Sequence, residues 1–138
     1  MAFVLDCSMT MAWVFPDEAT DATAALRDSL IVDRAVVPAL WPIEVGNVLL
    51  VATRRGRIVE EDWAPVRRAL AALPIDVDLA SPERVLETVL PLASEHGLSA
   101  YDAMYLELAL RLGLPLATLD RKLTTACDAA GVQTLPAR

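Results

Sequence analysis

Short apolar runs and longer amphipathic segments alternate along the whole chain. The longer segments place apolar residues three or four positions apart, which is the spacing of helices that bury one face. Regular alternation of strands and helices is typical of a parallel sheet covered by helices on both sides. The pattern predicts a three-layer α/β/α sandwich with a central, mostly parallel sheet of four to five strands. The runs of strand length lie at residues 2–5, 35–37, 75–79, 114–119 and 132–135.

Capping residues, prolines and glycines set the limits of the predicted helices. Ser8 is predicted to cap the first helix, and Gly131 to end the last one. Pro82 is predicted as the first residue of a helix that should kink at Pro91. The other limits place helices at about residues 8–15, 16–30, 39–55, 59–73, 99–112 and 120–130. No repeat, low-complexity stretch or linker interrupts this pattern, so residues 1–138 are predicted to form a single domain.

Composition and charge argue against several classes of protein. Hydrophobic residues make up 55% of the chain, which excludes an intrinsically disordered protein. The net charge of −7 argues against a protein that coats nucleic acid, but it allows an enzyme that meets phosphates through bound cations. No apolar stretch reaches the roughly 18 residues of a membrane span, and the first residues lack the basic region of a signal peptide. We therefore expect a cytoplasmic protein, without a membrane partner, whose Cys7 and Cys127 are reduced thiols.

Four acidic residues are expected to meet at one edge of the sheet. Asp6 and Asp120 each follow a predicted strand, and Glu44 lies in the first turns of the helix after the second strand. The helix that carries Asp102 connects almost directly to the next strand, so this helix must end at the amino edge of the sheet. A helix of about 13 residues spans roughly 20 Å, which returns its first turn to the carboxyl edge. Open parallel sheets bind ligands at that carboxyl edge.

Each of these acids also has a purely structural explanation. Ser99 and Asp102 have the spacing of a capping box. Asp6 and Asp120 can cap helices, and Glu44 in a first helical turn suits the helix dipole. Two carboxylates about 6 Å apart, however, repel each other by about 3 kcal/mol at an effective dielectric of about 20. The cluster therefore predicts either protonated acids or a bound cation, and oxygen ligands without His or Cys favour Mg²⁺ or Mn²⁺ over zinc.

Four segments of the chain resemble the motifs of the PIN-domain nucleases, and most of all those of the VapC-type toxins of bacterial type II toxin–antitoxin systems. The segments are VLDCS (4–8), WPIEVGNVL (41–49), LSAYDAMYLELAL (98–110) and LATLD (116–120). The resemblance covers essentially the whole chain. It implies a PIN fold and a Mg²⁺-dependent endoribonuclease that hydrolyses phosphodiester bonds of RNA, with Mn²⁺ able to replace Mg²⁺.

The same resemblance assigns roles to individual residues. It implies that Asp6 and Asp102 bind the metal, and that the two other acids complete the catalytic pocket directly or through waters. Arg121 and Lys122 stand where members of the family often carry another acid, which argues against a second metal ion. The family's catalytic acids match Asp6, Glu44, Asp102 and Asp120, and its supporting polar residues match Ser8, Asn47 and Thr118.

The resemblance also implies two macromolecular partners, an RNA substrate and a cognate antitoxin protein encoded by the upstream gene. We expect a homodimer or a hetero-oligomer with that antitoxin. An Arg or Lys of the antitoxin is expected to enter the acidic pocket, while its apolar residues cover exposed hydrophobic surface. The first helix, with Met9, Met11, Trp13 and Phe15, is the predicted wall of the groove that receives it.

Three other functions fit parts of the sequence. A non-catalytic binding module with the same fold would be favoured by a missing acid, whereas all four are present. A metal-dependent nuclease outside any toxin system, acting on DNA or on structured RNA, would carry the same residues. A phosphatase with Asp6 as its nucleophile would carry the motif Asp-x-Asp after the first strand, whereas Ser8 stands in place of the second Asp. His96 has no second His or Cys nearby, which argues against a zinc site.

Overall fold

A five-stranded parallel sheet forms the centre of the computed structural model, which describes residues 1–137. The strands lie in the order β3-β2-β1-β4-β5, and every neighbouring pair is parallel. Helices flank this sheet, so the predicted α/β/α class is confirmed. The strands are β1 (Ala2–Leu5), β2 (Arg34–Pro38), β3 (Ile75–Asp78), β4 (Leu116–Ala117) and β5 (Thr134–Leu135).

Eight α-helical segments connect the strands of the described residues. Between them lie 3-10 turns at Pro16–Glu18, Ser29–Ile31 and Glu60–Asp62, and a π-helical turn at Val85–Val89. No helix within residues 1–137 is long and apolar enough to cross a membrane. The helices are α1 (Cys7–Val14), α2 (Asp21–Asp28), α3 (Trp41–Arg54), α4 (Trp63–Ala71), α5 (Pro82–Arg84), α6 (Leu90–His96), α7 (Ala100–Leu112) and α8 (Arg121–Ala130).

The central strand β1 and the helix α7 form the middle of the core. Phe3, Val4 and Leu5 are completely buried, as expected for a parallel strand that is covered on both faces. Helix α7 packs against β1, β2 and β4, and it buries residues 105–109. Strand β3 lies at the edge of the sheet, as its alternation of apolar and acidic residues predicts.

The apolar residues of α1 also belong to this core. Met9, Met11 and Phe15 are each less than 5% exposed. The indole of Trp13 is partly buried, and its Nε1 donates a hydrogen bond to the carbonyl of Thr23 at 2.8 Å. Because Met9, Met11 and Phe15 are already packed inside the domain, the prediction that they form the wall of a partner groove is wrong. Of the four predicted residues, Trp13 alone lines an open cavity, of about 280 Å³, together with residues of α4.

Two predicted elements are shorter than the apolar pattern indicates. The helix predicted at 16–30 is divided, because Thr20 caps α2 through a reciprocal pair of hydrogen bonds with Thr23. The strand predicted at 114–119 is reduced to β4. The backbone N–H of Leu114 bonds to Ala109 and completes the end of α7, and Pro115 has no N–H to give to the sheet.

The helix interrupted by Pro91 departs from α-helical geometry one turn before the proline. The π-helical turn lies between α5 and α6, and Pro91 is among the first residues of α6. Pro91 has no N–H for the α-helical bond to the residue four positions earlier, which lies in this turn. The predicted irregularity is therefore a widened turn that begins ahead of Pro91.

Candidate active site

Asp6 stands at the junction of β1 and α1, where its side chain caps the helix. Its Oδ1 accepts a hydrogen bond from the backbone N–H of Ser8 at 3.0 Å, and its Oδ2 accepts one from the Ser8 hydroxyl at 2.9 Å. The prediction that Ser8 caps α1 is therefore wrong. Asp6 has the extended backbone of a cap, and Ser8 already lies inside the helix. The residue Asp6 as a whole is only 7% exposed.

A second hydroxyl group approaches Asp6 from the end of β4. The Thr118 hydroxyl donates to Asp6 Oδ2 in a short hydrogen bond. Backbone N–H groups of Leu119 and Asp120 donate to the hydroxyl oxygens of Ser8 and Thr118, at 2.9 and 3.0 Å. Since each hydroxyl has one proton, these amide donors leave that proton free to point at Asp6. Ser8 and Thr118 thus both orient the Asp6 carboxylate.

Asp102 and Asp120 lie at the first turns of α7 and α8. The backbone N–H of Asp102 donates to the hydroxyl of Ser99, which caps α7, at 3.1 Å. Asp120 itself caps α8, because its Oδ1 accepts a hydrogen bond from the backbone N–H of Leu123 at 2.9 Å. The structural explanation of Asp120 is therefore correct, but this bond uses only one of its two carboxylate oxygens.

Glu44 reaches the same region from α3. Its Oε1 accepts a hydrogen bond of 2.5 Å from the hydroxyl of Tyr105, a residue of α7 that is only 1% exposed. Asn47 lies one turn further along α3 and is exposed to solvent. Among the three residues predicted to support the acids, Ser8 and Thr118 contact Asp6, whereas Asn47 is placed on the surface beside Glu44.

Burial and the repulsion between carboxylates both raise the pKa of three of the acids. Burial is the largest cause that raises the pKa of Asp6, of Glu44 and of Asp102. The charge of Asp102 further raises the pKa of Asp6, and both of these acids raise the pKa of Glu44. The charge of Asp120 raises the pKa of Asp102, while Lys122 lowers it. The four predicted acids thus share one electrostatic neighbourhood.

The donor set of this pocket suits a hard divalent cation. All four acids and the two hydroxyls offer oxygen, which Mg²⁺ and Mn²⁺ prefer. Within residues 1–137, no three side chains of His, Cys, Asp or Glu are close enough together to hold one ion. Mg²⁺ needs only one or two protein carboxylates and retains several waters, so oxygen donors from two acids are compatible with it. Asp6 and Asp102 are the pair that the resemblance to the PIN-domain nucleases implies for that role.

Comparison with known proteins identifies the family. Residues 3–128 match the family described as PIN domain. The chain belongs to the PIN-domain family. It is 32% identical over 130 residues to Ribonuclease VapC3 of Pyrobaculum aerophilum, covering 89% of this chain and 92% of that protein. It is 34% identical over 133 residues to Exonuclease VapC9 of the same organism, covering 94% and 97%.

Two solved structures have a fold similar to that of this chain. A crystal structure of a Pyrobaculum aerophilum protein matches with a TM-score of 0.68 and 30% identity, covering 98% of this chain and 92% of that one. A toxin–antitoxin complex from Klebsiella pneumoniae matches with a TM-score of 0.61 and 17% identity, covering 88% and 89%. The resemblance to the PIN-domain family, and to its VapC-type members, is confirmed.

Three polar contacts of this PIN domain escape prediction from the sequence. One is the bond between Tyr105 and Glu44, because the periodicity of α7 indicates only an apolar core position. The other two form a chain from α3 to α1: Trp41 Nε1 donates to Thr10 Oγ1 at 3.0 Å, and that hydroxyl donates to the carbonyl of Asp6 at 3.1 Å. Thr10 lies four residues after Asp6, which is a recognisable helical spacing, whereas Trp41 gives no local signal.

Proposed function

We propose that this PIN-domain protein is a Mg²⁺-dependent endoribonuclease and the toxin of a toxin–antitoxin pair. The observation that carries the proposal is the buried Asp6 carboxylate, held by two oriented hydroxyls in the electrostatic neighbourhood of three further acids. A structural cap needs neither this burial nor two side-chain donors. The curated relatives, of about one-third identity, include a protein named as a ribonuclease.

The residues of the pocket divide into two groups in this proposal. Asp6 and Asp102 would hold Mg²⁺, which supplies positive charge to the scissile phosphate and makes a water molecule more acidic. Ser8 and Thr118 keep the Asp6 carboxylate in one orientation. Glu44 Oε1 accepts a hydrogen bond from Tyr105, so its other oxygen, Oε2, would accept the proton of the attacking water. Asp120 would contribute to the pocket its second carboxylate oxygen, the one that does not cap α8.

The mode of cleavage needs its own test, because one relative is named as an exonuclease. A closed circle of single-stranded RNA has no ends, so only an endonuclease can open it. We expect the protein with Mg²⁺ to linearise circular RNA and to leave a circular single-stranded DNA of the same sequence intact. Denaturing gel electrophoresis separates circles from linear products.

The matched control in this assay is Asp102→Asn, which keeps the size of the side chain and removes its charge. This variant is expected to leave the circle intact.

An intact circle beside degraded linear RNA would identify an exonuclease instead. Cleavage of DNA alone would support a nuclease outside RNA metabolism, and no cleavage of any substrate would favour a non-catalytic module. If Asp102 only supports the start of α7, Asp102→Asn retains cleavage and loses about 1 kcal/mol of stability.

An antitoxin is proposed as the protein partner, and a largely apolar groove on the surface suits its apolar residues. The groove has a volume of about 860 Å³ and lies between α3, α4 and the edge strand β3. Trp41 lines this groove, and its Nε1 donates to the Thr10 hydroxyl, which donates to the backbone carbonyl of Asp6. The side chains that line it include Trp41, Val45, Leu49, Trp63, Leu70 and Val77.

Charge determines which residue of the antitoxin enters the acidic pocket. The chain carries a net charge of −7, and four carboxylates share the pocket, so an Arg or Lys is the complementary group. Such a cation would occupy the position that Mg²⁺ needs and would silence the enzyme. The proposal includes a homodimer or a hetero-oligomer as the state of the complex.

Co-expression with the upstream gene product is expected to yield a stable complex without ribonuclease activity. In this complex, Val77→Asp should weaken binding by about tenfold or more, because it places a charge in the apolar groove where Val77 is 49% exposed. Ile31→Asp is the matched control, since Ile31 is 89% exposed and lies outside the groove. Titration calorimetry gives both affinities, and light scattering gives the oligomeric state. Full activity in the intact complex would contradict this mode of inhibition.

A further inference from the structure

We propose that Tyr105 is a positioning residue for Glu44, and that it acts on catalysis through this carboxylate. The inference rests on the proposed nuclease function, and it adds to that function a residue outside the four acids and their hydroxyl neighbours. The Tyr105 hydroxyl donates to Glu44 Oε1 at 2.5 Å, between residues that are 61 positions apart in the sequence. Such a short bond to a carboxylate is of the charge-assisted kind.

Burial makes Tyr105 a rigid donor. The side chain is 1% exposed and belongs to the main hydrophobic cluster, so its ring has a single packed position. Burial and the neighbouring Glu44 raise the pKa of the Tyr105 hydroxyl, which therefore remains protonated and able to donate. Glu44 is only half-buried and has three rotatable bonds, so without this donor its carboxylate can turn towards solvent.

The hydrogen bond between Tyr105 and Glu44 links two acids of the pocket, because Tyr105 lies on the same helix as Asp102. Asp102 lies three residues before Tyr105 on the same helix, on the same side of it. Helix α7 thus carries one acid of the pocket itself and holds a second acid, Glu44, through the phenol. The hydrogen bond couples α3 to α7 and sets the separation of the two carboxylates that a substrate would meet.

Tyr105→Phe tests the inference because it removes the hydroxyl and keeps the ring in the core. We expect kcat for RNA cleavage to fall by about 10- to 100-fold, the range typical of lost orienting partners. The KM for RNA should change by less than about threefold, because Tyr105 is buried and does not contact substrate. Tyr101→Phe is the matched control: Tyr101 lies one turn earlier on α7, is 67% exposed, and should show wild-type kcat.

A double-mutant cycle separates positioning from packing. In a chain that already carries Glu44→Gln, the further change Tyr105→Phe is expected to lower kcat by less than about twofold, since the group on which Tyr105 acts is altered. Equal losses of kcat in the two backgrounds would overturn the inference, because Tyr105 would then act independently of Glu44.

A variant of Glu44 tests the same bond without changing the core. Glu44→Asp retains the charge but shortens the side chain by one methylene, so its carboxylate no longer reaches the Tyr105 hydroxyl. We expect a loss of kcat of the same size as for Tyr105→Phe. Wild-type kcat in Glu44→Asp or in a folded Tyr105→Phe would overturn the positioning role while the wild-type enzyme still cleaves RNA. Failure of the proposed function itself would be recognised differently, as wild-type protein that does not cleave RNA at all.

Discussion

Asp6→Asn is expected to lower the rate of RNA cleavage by at least about 100-fold while the protein remains folded. Loss of a partner that merely orients a metal ligand costs about 10- to 100-fold, and Asp6 is proposed as a ligand itself. Asn has the same size, and its carbonyl oxygen can still accept the hydrogen bond from the N–H of Ser8. Initial rates on a fluorescent RNA, with circular dichroism as the check of folding, measure the effect. Retention of more than about one-tenth of the wild-type rate would contradict the ligand role.

The stability of the wild-type protein should depend on pH in the absence of metal in a way that the Asp6→Asn variant does not. Burial raises the pKa of Asp6 above its ordinary value of 3.8. Between that value and the raised pKa, folded protein retains a proton that the unfolded chain has lost. The free energy of unfolding contributed by Asp6 therefore falls as the pH rises through this window, and Asn at the same position has no such dependence.

Urea unfolding in EDTA at several pH values between about 4 and 8 checks this sign. The difference in the free energy of unfolding, wild type minus Asp6→Asn, should decrease with rising pH and then become constant. If the difference increases with pH instead, the ionised carboxylate stabilises the fold as a cap, and its burial is not the dominant effect.

Chelation of divalent cations is expected to abolish cleavage, and added Mg²⁺ or Mn²⁺ to restore it. Without a cation, burial and the repulsion among the acids disfavour their ionised forms, as the raised pKa values of Asp6, Glu44 and Asp102 indicate. A cation in the pocket relieves this repulsion, and only the folded chain assembles the pocket. At about 100 times Kd, the metal should add about 2.7 kcal/mol of stability, or roughly 10 °C in Tm.

The Asp6→Asn variant is the control for the thermal shift, since it should lose most of the rise in Tm with Mg²⁺. NaCl at the same ionic strength is the control for electrostatic screening by the added salt. Cleavage that continues in EDTA would exclude the proposed metal dependence, whatever the thermal shift shows.

The elements of the fold were predictable where the spacing of apolar residues along the chain matches their burial in the structure. Residues 2–5 are apolar throughout because β1 is covered on both faces, and the alternation at 75–79 corresponds to an exposed edge. The short β4 was not predictable from hydrophobicity, since Leu114 and Leu119 are as apolar as the two residues that pair. The backbone of Pro115 and the end of α7 determine its length, and both depend on hydrogen bonding.

The candidate site was predictable at the level of its acids but not of their partners. Topology brings chain positions after strands and at helix starts to one edge, which is why the four acids could be grouped without a structure. Which residue caps α1 depends on whether Asp6 or Ser8 has the extended backbone, a detail that both residue types allow. The bond from Tyr105 to Glu44 joins two helices across the core, so no local pattern contains it.

The order of the strands has a consequence for the synthesis of the protein. Strand β1 lies at the centre of the sheet, between β2 and β4. Asp6 therefore receives a hydrogen bond from Thr118, which directly follows β4 and is made 112 residues later. A ribosome adds about 5–20 residues per second, and Asp6 leaves it long before Thr118 and Asp120 exist. A nascent chain made as far as β3 has the three strands of the β1–β2–β3 part of the sheet, but it lacks Thr118, one of the two hydroxyls that orient Asp6, and the two acids Asp102 and Asp120. We therefore expect the proposed nuclease to be inert during translation and to become active only after β4 has joined the sheet.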